Sequence, residues 1–136
     1  DSRLFRRLEL VLSALAHWAP IAAELEYLPA TVFPLLLAFP ADDLAAFEAS
    51  VALLTHWQRP FLCTFPHPPL PLLAAMDRCL ALHDQRLAAK LSRFGPQTFC
   101  WPLLRSCFSE VLGQEEWLVV MDHCWARADE PVWLLL

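Results

Sequence analysis

Glycine is almost missing from this sequence: only Gly95 and Gly113 occur in 136 residues. A loop that cradles phosphate needs glycines so that backbone N–H groups can approach the anion, and two scattered ones exclude it. Twelve prolines stand against those two glycines. That balance excludes flexible linkers and favours stiff joints between helices. Lysine and arginine are also scarce, 10 against 15 aspartates and glutamates, leaving a formal charge of −5. Nucleic-acid partners are therefore not expected, because phosphates need clustered cations. Only Arg3, Arg6 and Arg7 stand together, and they read as the wet face of a first helix rather than a docking patch.

Other absences narrow the classes further. No two of the five cysteines, Cys63, Cys79, Cys100, Cys107 and Cys124, have C-x-x-C spacing, so no zinc ribbon is implied. They read as reduced core thiols of a cytosolic helical domain. His123 and Cys124 are adjacent, and neighbours on a helix diverge, so they make a poor zinc pair. No membrane span is expected: the best apolar stretch, Leu25 to Phe39, is broken by Pro29 and Pro34 and is too short for a bilayer. No signal peptide is expected. Alternating β-branched runs are missing, so no sheet is expected. Neither a nucleophile elbow nor H-E-x-x-H occurs. Asp42-Asp43 and Glu115-Glu116 read as helix starts rather than acid–base pairs. Side chains of His83 and Asp84 diverge on one helix, and His83 is expected to be buried and hydrogen-bonded. No cofactor is implied.

What the chain has in excess is apolar surface: 57% hydrophobic residues and 18% charged. Average domains lie near about half and about a quarter. Such a chain needs a large core or further chain to bury against. The opening at Asp1 and the close in Trp133-Leu134-Leu135-Leu136 lead us to expect a fragment. Residues 1–136 read as one all-α domain of about seven helices.

The first helix carries Leu4, Leu8, Val11, Leu12 and Leu15 inward, with Ser2 as cap and an end near Trp18. An apolar second helix spans Glu24 to Phe39, with Pro29 in its first turn and a kink or break at Pro34. A third starts at Asp42 or Asp43, buries Leu44, Phe47, Val51 and Leu54, closes on Trp57 and stops at Pro60. The stretch Phe65 to Pro71 is a stiff connector. A long helix then runs from Pro71 to Arg93, with Leu72, Leu73, Met76, Leu80, His83, Leu87 and Leu91 inside and Gly95 just past its end. The fifth covers Gln97 to Glu110 with Pro102 near its first turn, the sixth Gly113 to Ala126, and a seventh begins at Glu130-Pro131. Trp18, Trp57, Trp101 and Trp117 read as core anchors.

A longer pattern resembles the TBC, or Rab GTPase-activating, family. That family has an amphipathic helix, then N-P-x-x-G-Y-x-Q-G-M-N, an apolar helix, an acidic turn and a further helix. Here Ala14-Leu15-Ala16-His17-Trp18 is followed without a gap by Ala19-Pro20-Ile21-Ala22-Ala23-Glu24-Leu25-Glu26-Tyr27-Leu28-Pro29, with Pro20 on the family's proline. The segment Ala41 to Phe47 is similar to the next block. Leu82-His83-Asp84, Trp101-Pro102-Leu103-Leu104, Phe108-Ser109-Glu110-Val111-Leu112 and Trp117 to Asp122 resemble later ones. These phrases span nearly the whole chain, each weak alone, and point to a divergent, WD-repeat-bearing branch of the centrosome and cilium.

The resemblance implies the C-terminal part of a TBC domain, cytoplasmic, at the centrosome, centriolar satellites or cilium. It also implies a defect. Active members supply an arginine, here expected upstream of Asp1, and the glutamine of Y-x-Q, which orients the attacking water. The glutamine position falls on Glu26 and the tyrosine position on Glu24, while Tyr27 and Pro29 replace the small residues that follow. A carboxylate beside a γ-phosphate adds repulsion. The expected protein is thus a catalytically inactive pseudo-GAP and interaction scaffold, with no catalytic residue and with Glu24, Glu26, Tyr27 and Pro29 as partner-binding candidates. Alternatives are a Rab-binding effector, an unconventional active GTPase-activating protein, and a helical domain outside the family.

Overall fold

A computed structural model describes residues 2–126. These residues form eight α-helices, one 3-10 turn and one π turn, and no strand occurs among them. The all-α expectation holds. The expected seventh helix at Glu130-Pro131 lies outside the described residues.

Helix α1 (Ser2–Trp18) packs on α2 (Leu28–Ala38) and α3 (Asp43–Ala52). Its inward stripe is the expected one: Val11 and Leu15 are buried, and Leu4, Leu8 and Leu12 pack against the core. Ser2 is the first residue inside the helix, one position beyond a cap. Trp18, expected as an anchor, is largely exposed.

The expected start of α2 at Glu24 is four residues early. Pro20 opens a tight turn, Pro20–Glu24, and Leu25 to Tyr27 stay out of helix until Pro29 enters the first turn of α2. Pro34 sits inside the helix and neither divides it nor ends it. Lacking an N–H, Pro34 cannot bond the carbonyl of Ala30. The hydroxyl of Ser109 donates to that oxygen instead, at 3.1 Å.

Asp42 caps α3 by accepting from the N–H of Ala45 at 2.9 Å. Of the expected face, Leu54 is buried and Phe47 and Val51 pack against the core; Ala46, Ala49 and Ser50 are buried with them, while Leu44 is 65% exposed. Small residues bring this helix close to its neighbours, so the leucine points outward. A π turn, Leu53–Trp57, carries the chain on. Pro60 does not terminate anything; it lies in the first turn of α4 (Arg59–Thr64), where its missing N–H costs no helix bond.

The expected long helix is two. Helix α5 (Leu70–His83) ends at Asp84, whose carboxylate accepts from the N–H of Leu87 at 2.9 Å and starts α6 (Gln85–Leu91). His83 is exposed, contrary to expectation, with Nδ1 2.9 Å from the carbonyl of Cys79. Gly95, at φ 72°, adopts the left-handed backbone that glycine allows, and α7 (Pro96–Arg105) follows. Pro102 lies well inside α7, and the helix stops at Arg105, where turns through Cys107 and Phe108 replace its expected last turn. Helix α8 (Gln114–Ala126) starts as expected, with Glu116 accepting from the N–H of Gly113 at 3.0 Å.

Two apolar clusters result. The larger joins Val11, Leu15, Val32, Leu36, Phe61 and Leu104. The smaller joins Leu35, Leu53, Trp57, Trp117 and Met121 with Cys107 and Cys124. Every cysteine is a free thiol, with Cys100, Cys107 and Cys124 buried and Cys63 exposed. No helix among the described residues is long and apolar enough to cross a membrane.

Arg7 departs most from its expected role. Its Nε donates to Asp43 at 2.6 Å, and its other nitrogens reach the carbonyls of Phe39 at 2.6 Å and Leu36 at 3.3 Å. The side chain is only 12% exposed, so it is an interior strut rather than a wet surface cation.

Candidate functional site

The segment joining α1 to α2 alternates sharply. Ala22, Leu25, Tyr27 and Leu28 are buried, whereas Glu24, Glu26 and Pro29 face outward. The two prolines enforce this: Pro20 fixes the entry to the tight turn, and Pro29 fixes the first turn of α2. Between them an extended Leu25 turns successive side chains to opposite sides.

Glu24, Glu26 and Tyr27 line a cleft of about 440 Å³. Phe61 of α4 and Trp101 of α7 form the rest of its wall, with the connector residues Phe65 to Pro68, which include a cis Phe65–Pro66 peptide. Pro29 is not among the lining residues. Tyr27, Phe61 and Trp101 meet edge to face, with ring centroids 5.1–6.3 Å apart. Three chain segments therefore build one aromatic wall, with two carboxylates joining it from the α1–α2 segment. Sequence reasoning found Glu24, Glu26 and Tyr27 but not the walls from the other two segments. Trp101 reads there as a packing residue, which it also is, and Phe65 to Pro68 as a connector; periodicity cannot reveal which loops meet.

A polar network lies behind the wall. The hydroxyl of Thr31 donates to the carbonyl of Arg105 at 3.1 Å, and Nε2 of the fully buried Gln58 reaches Thr31 Oγ1 at 3.1 Å and Cys107 Sγ at 3.4 Å. At the surface, Arg105 Nη1 donates to Glu26 at 3.4 Å, with the glutamate side chain 83% exposed. The Tyr27 hydroxyl has no hydrogen-bond partner, although the residue is 7% exposed. Burial pushes its pKa up to about 12, with a smaller contribution from Cys107, so it stays a neutral phenol. No group of three or more His, Cys, Asp or Glu side chains able to hold a metal occurs among the described residues. The cleft's polar groups are chiefly acceptors over a hydrophobic floor, an arrangement suited to recognition.

Relatives agree along the whole length of the chain. TBC1 domain family member 31 of Xenopus tropicalis is 38% identical over 98% of the chain, and that of Oryzias latipes is 39% identical over all of it. The human member 31 is 37% identical over 98%. Over its whole length the chain is thus similar to a stretch of TBC1 domain family member 31. It spans only 12% and 13% of the length of the first two relatives. No family model matches the chain, and no solved structure does. Glu24, Glu26 and Tyr27 come together on the cleft and Pro29 stands outside it.

Proposed function

We propose that this chain is the C-terminal part of a TBC domain that does not accelerate GTP hydrolysis and serves as a protein-interaction scaffold, cytoplasmic, at the centrosome or cilium. One observation carries the reading: Glu26 stands where the family resemblance puts the catalytic glutamine. A glutamine amide can both accept from and donate to an attacking water, whereas an ionised carboxylate only accepts. Beside a γ-phosphate it also adds charge of the wrong sign. The exposed position of Glu26 at the rim of a cleft supports a residue that meets a partner.

The test is single-turnover GTP hydrolysis by a panel of Rab proteins with and without the full-length protein. We expect every rate to stay within about twofold of the intrinsic one, against the ~10³–10⁵ that a supplied catalytic residue can give. Acceleration on any Rab that is lost on mutating this segment overturns the reading.

A second reading is a Rab effector that keeps GTPase binding without turnover. The intact aromatic wall beside Glu24 and Glu26 favours it. Nucleotide-dependent capture of a Rab separates it from a scaffold for other proteins.

A further inference from the structure

The cleft beside Glu24 and Glu26 has a donor–acceptor balance that selects its occupant. Its carboxylates only accept hydrogen bonds, and the Tyr27 hydroxyl, which can accept as well as donate, has no partner. No ion-pair partner of Glu24 occurs among the described residues, and Glu26 meets only Arg105, at the long distance of 3.4 Å. The remaining polar side chain of the lining is His67. The other walls are Phe61, Phe65 and Trp101, of which Phe65 is exposed and Trp101 half-buried. A ligand matching this set is rich in donors, positively charged and flat enough to lie on an aromatic face.

We propose that the cleft receives an arginine side chain from a partner protein, its guanidinium held by Glu24 and Glu26 against Trp101 and Phe65. Guanidinium has five N–H donors, no acceptor, and a planar face that stacks on aromatic rings. A lysine ammonium offers the charge without the plane. The pairing of Arg105 with Glu26 is an intramolecular instance of the same contact, made by a residue that does not line the cleft. At 440 Å³ the cleft is large enough for one such side chain and part of the backbone that carries it. This inference rests on the interaction-module reading above and names the chemistry of the partner.

The probe is the peptide acetyl-Gly-Gly-Arg-Gly-Gly-amide, titrated into the 136-residue chain while the indole N–H resonance of Trp101, assigned with Trp101→Phe, is followed by NMR. Matched peptides carry lysine or the uncharged isostere citrulline in place of arginine. The arginine peptide is expected to give a saturable shift in the millimolar range, about tenfold tighter than citrulline and severalfold tighter than lysine. The exposed Glu24→Gln and Glu26→Gln changes together are expected to weaken it about tenfold, with the helical circular dichroism unchanged. Equal affinity for citrulline, equal affinity for lysine, or no shift at concentrations that saturate millimolar binding overturns the proposal. Failure here leaves the absence of GTPase activation untouched, because that is read from hydrolysis rates alone.

Discussion

Three partners surround the Arg7 guanidinium, and a side chain of one charge now joins three helical segments: α1, the end of α2 and the start of α3. Cutting it back leaves Asp43 and two carbonyls to find other donors. Arg7→Ala is expected to lower stability by about 2–4 kcal/mol, measured by urea unfolding, since charge-assisted bonds contribute about 1.5–3 kcal/mol each and water can replace part of them. Arg7→Lys is expected to recover less than half, because an ammonium cannot reach three acceptors in fixed directions. Nothing in the sequence marks Arg7 apart from Arg3 and Arg6; its role depends on where a distant helix starts. The buried thiols give a pH prediction. Burial lifts Cys107 from 9.0 to about 12 and Cys100 from 9.0 to about 11, with Asp77 adding to the latter. A raised folded-state pKa gives stability that is complete below the unfolded value and is lost as pH rises towards the folded one. The urea midpoint is thus expected to stay level with respect to these thiols below about pH 9 and to fall from there to about pH 12. Cys107→Ala should flatten that decline.

Helix boundaries show which local chemistry can be read in advance. Asp42, Pro29 and Glu116 act at the ends where capping rules place them, whereas Gly95, expected just past the end of the preceding helix, is instead the N-cap of α7. The failures have one cause. Asp84 looks like an ordinary helical residue, and Pro60 and Pro102 look like a stop and a start, because a proline or aspartate has several meanings that only the surrounding packing decides. Leu44 of α3 is similar: the leucine pattern alone predicts its burial, but it is exposed while Ala46 and Ala49 are buried. Asp84→Ala tests the division of α5 from α6. It removes the N-terminal side-chain cap of a seven-residue helix. We expect faster amide hydrogen exchange over residues 85–91 and a loss of about 1 kcal/mol in stability, with α5 little changed.

On the scale of the whole molecule, the cleft exists only once the α1–α2 segment, α4, the Phe65–Pro68 connector and α7 have come together. Its acidic side was legible because it lies in one short stretch that resembles a family motif. Its aromatic side was not, because Trp101 lies more than 70 residues further along the chain. The same long reach ties Ser109 to the carbonyl that Pro34 leaves without an N–H. Ser109→Ala is expected to cost about 1–2 kcal/mol in the natural chain and much less alongside Pro34→Ala, where a new N–H can serve Ala30; a double-mutant cycle in urea measures the difference. That bond also bears on how the protein opens. Helix α2 is incomplete by itself, so its second turn is fully satisfied only while the distant turn at Ser109 is docked. Brief openings near Ser109 should therefore expose amides in α2 on the same timescale, so that two ends of the sequence breathe as one cooperative unit.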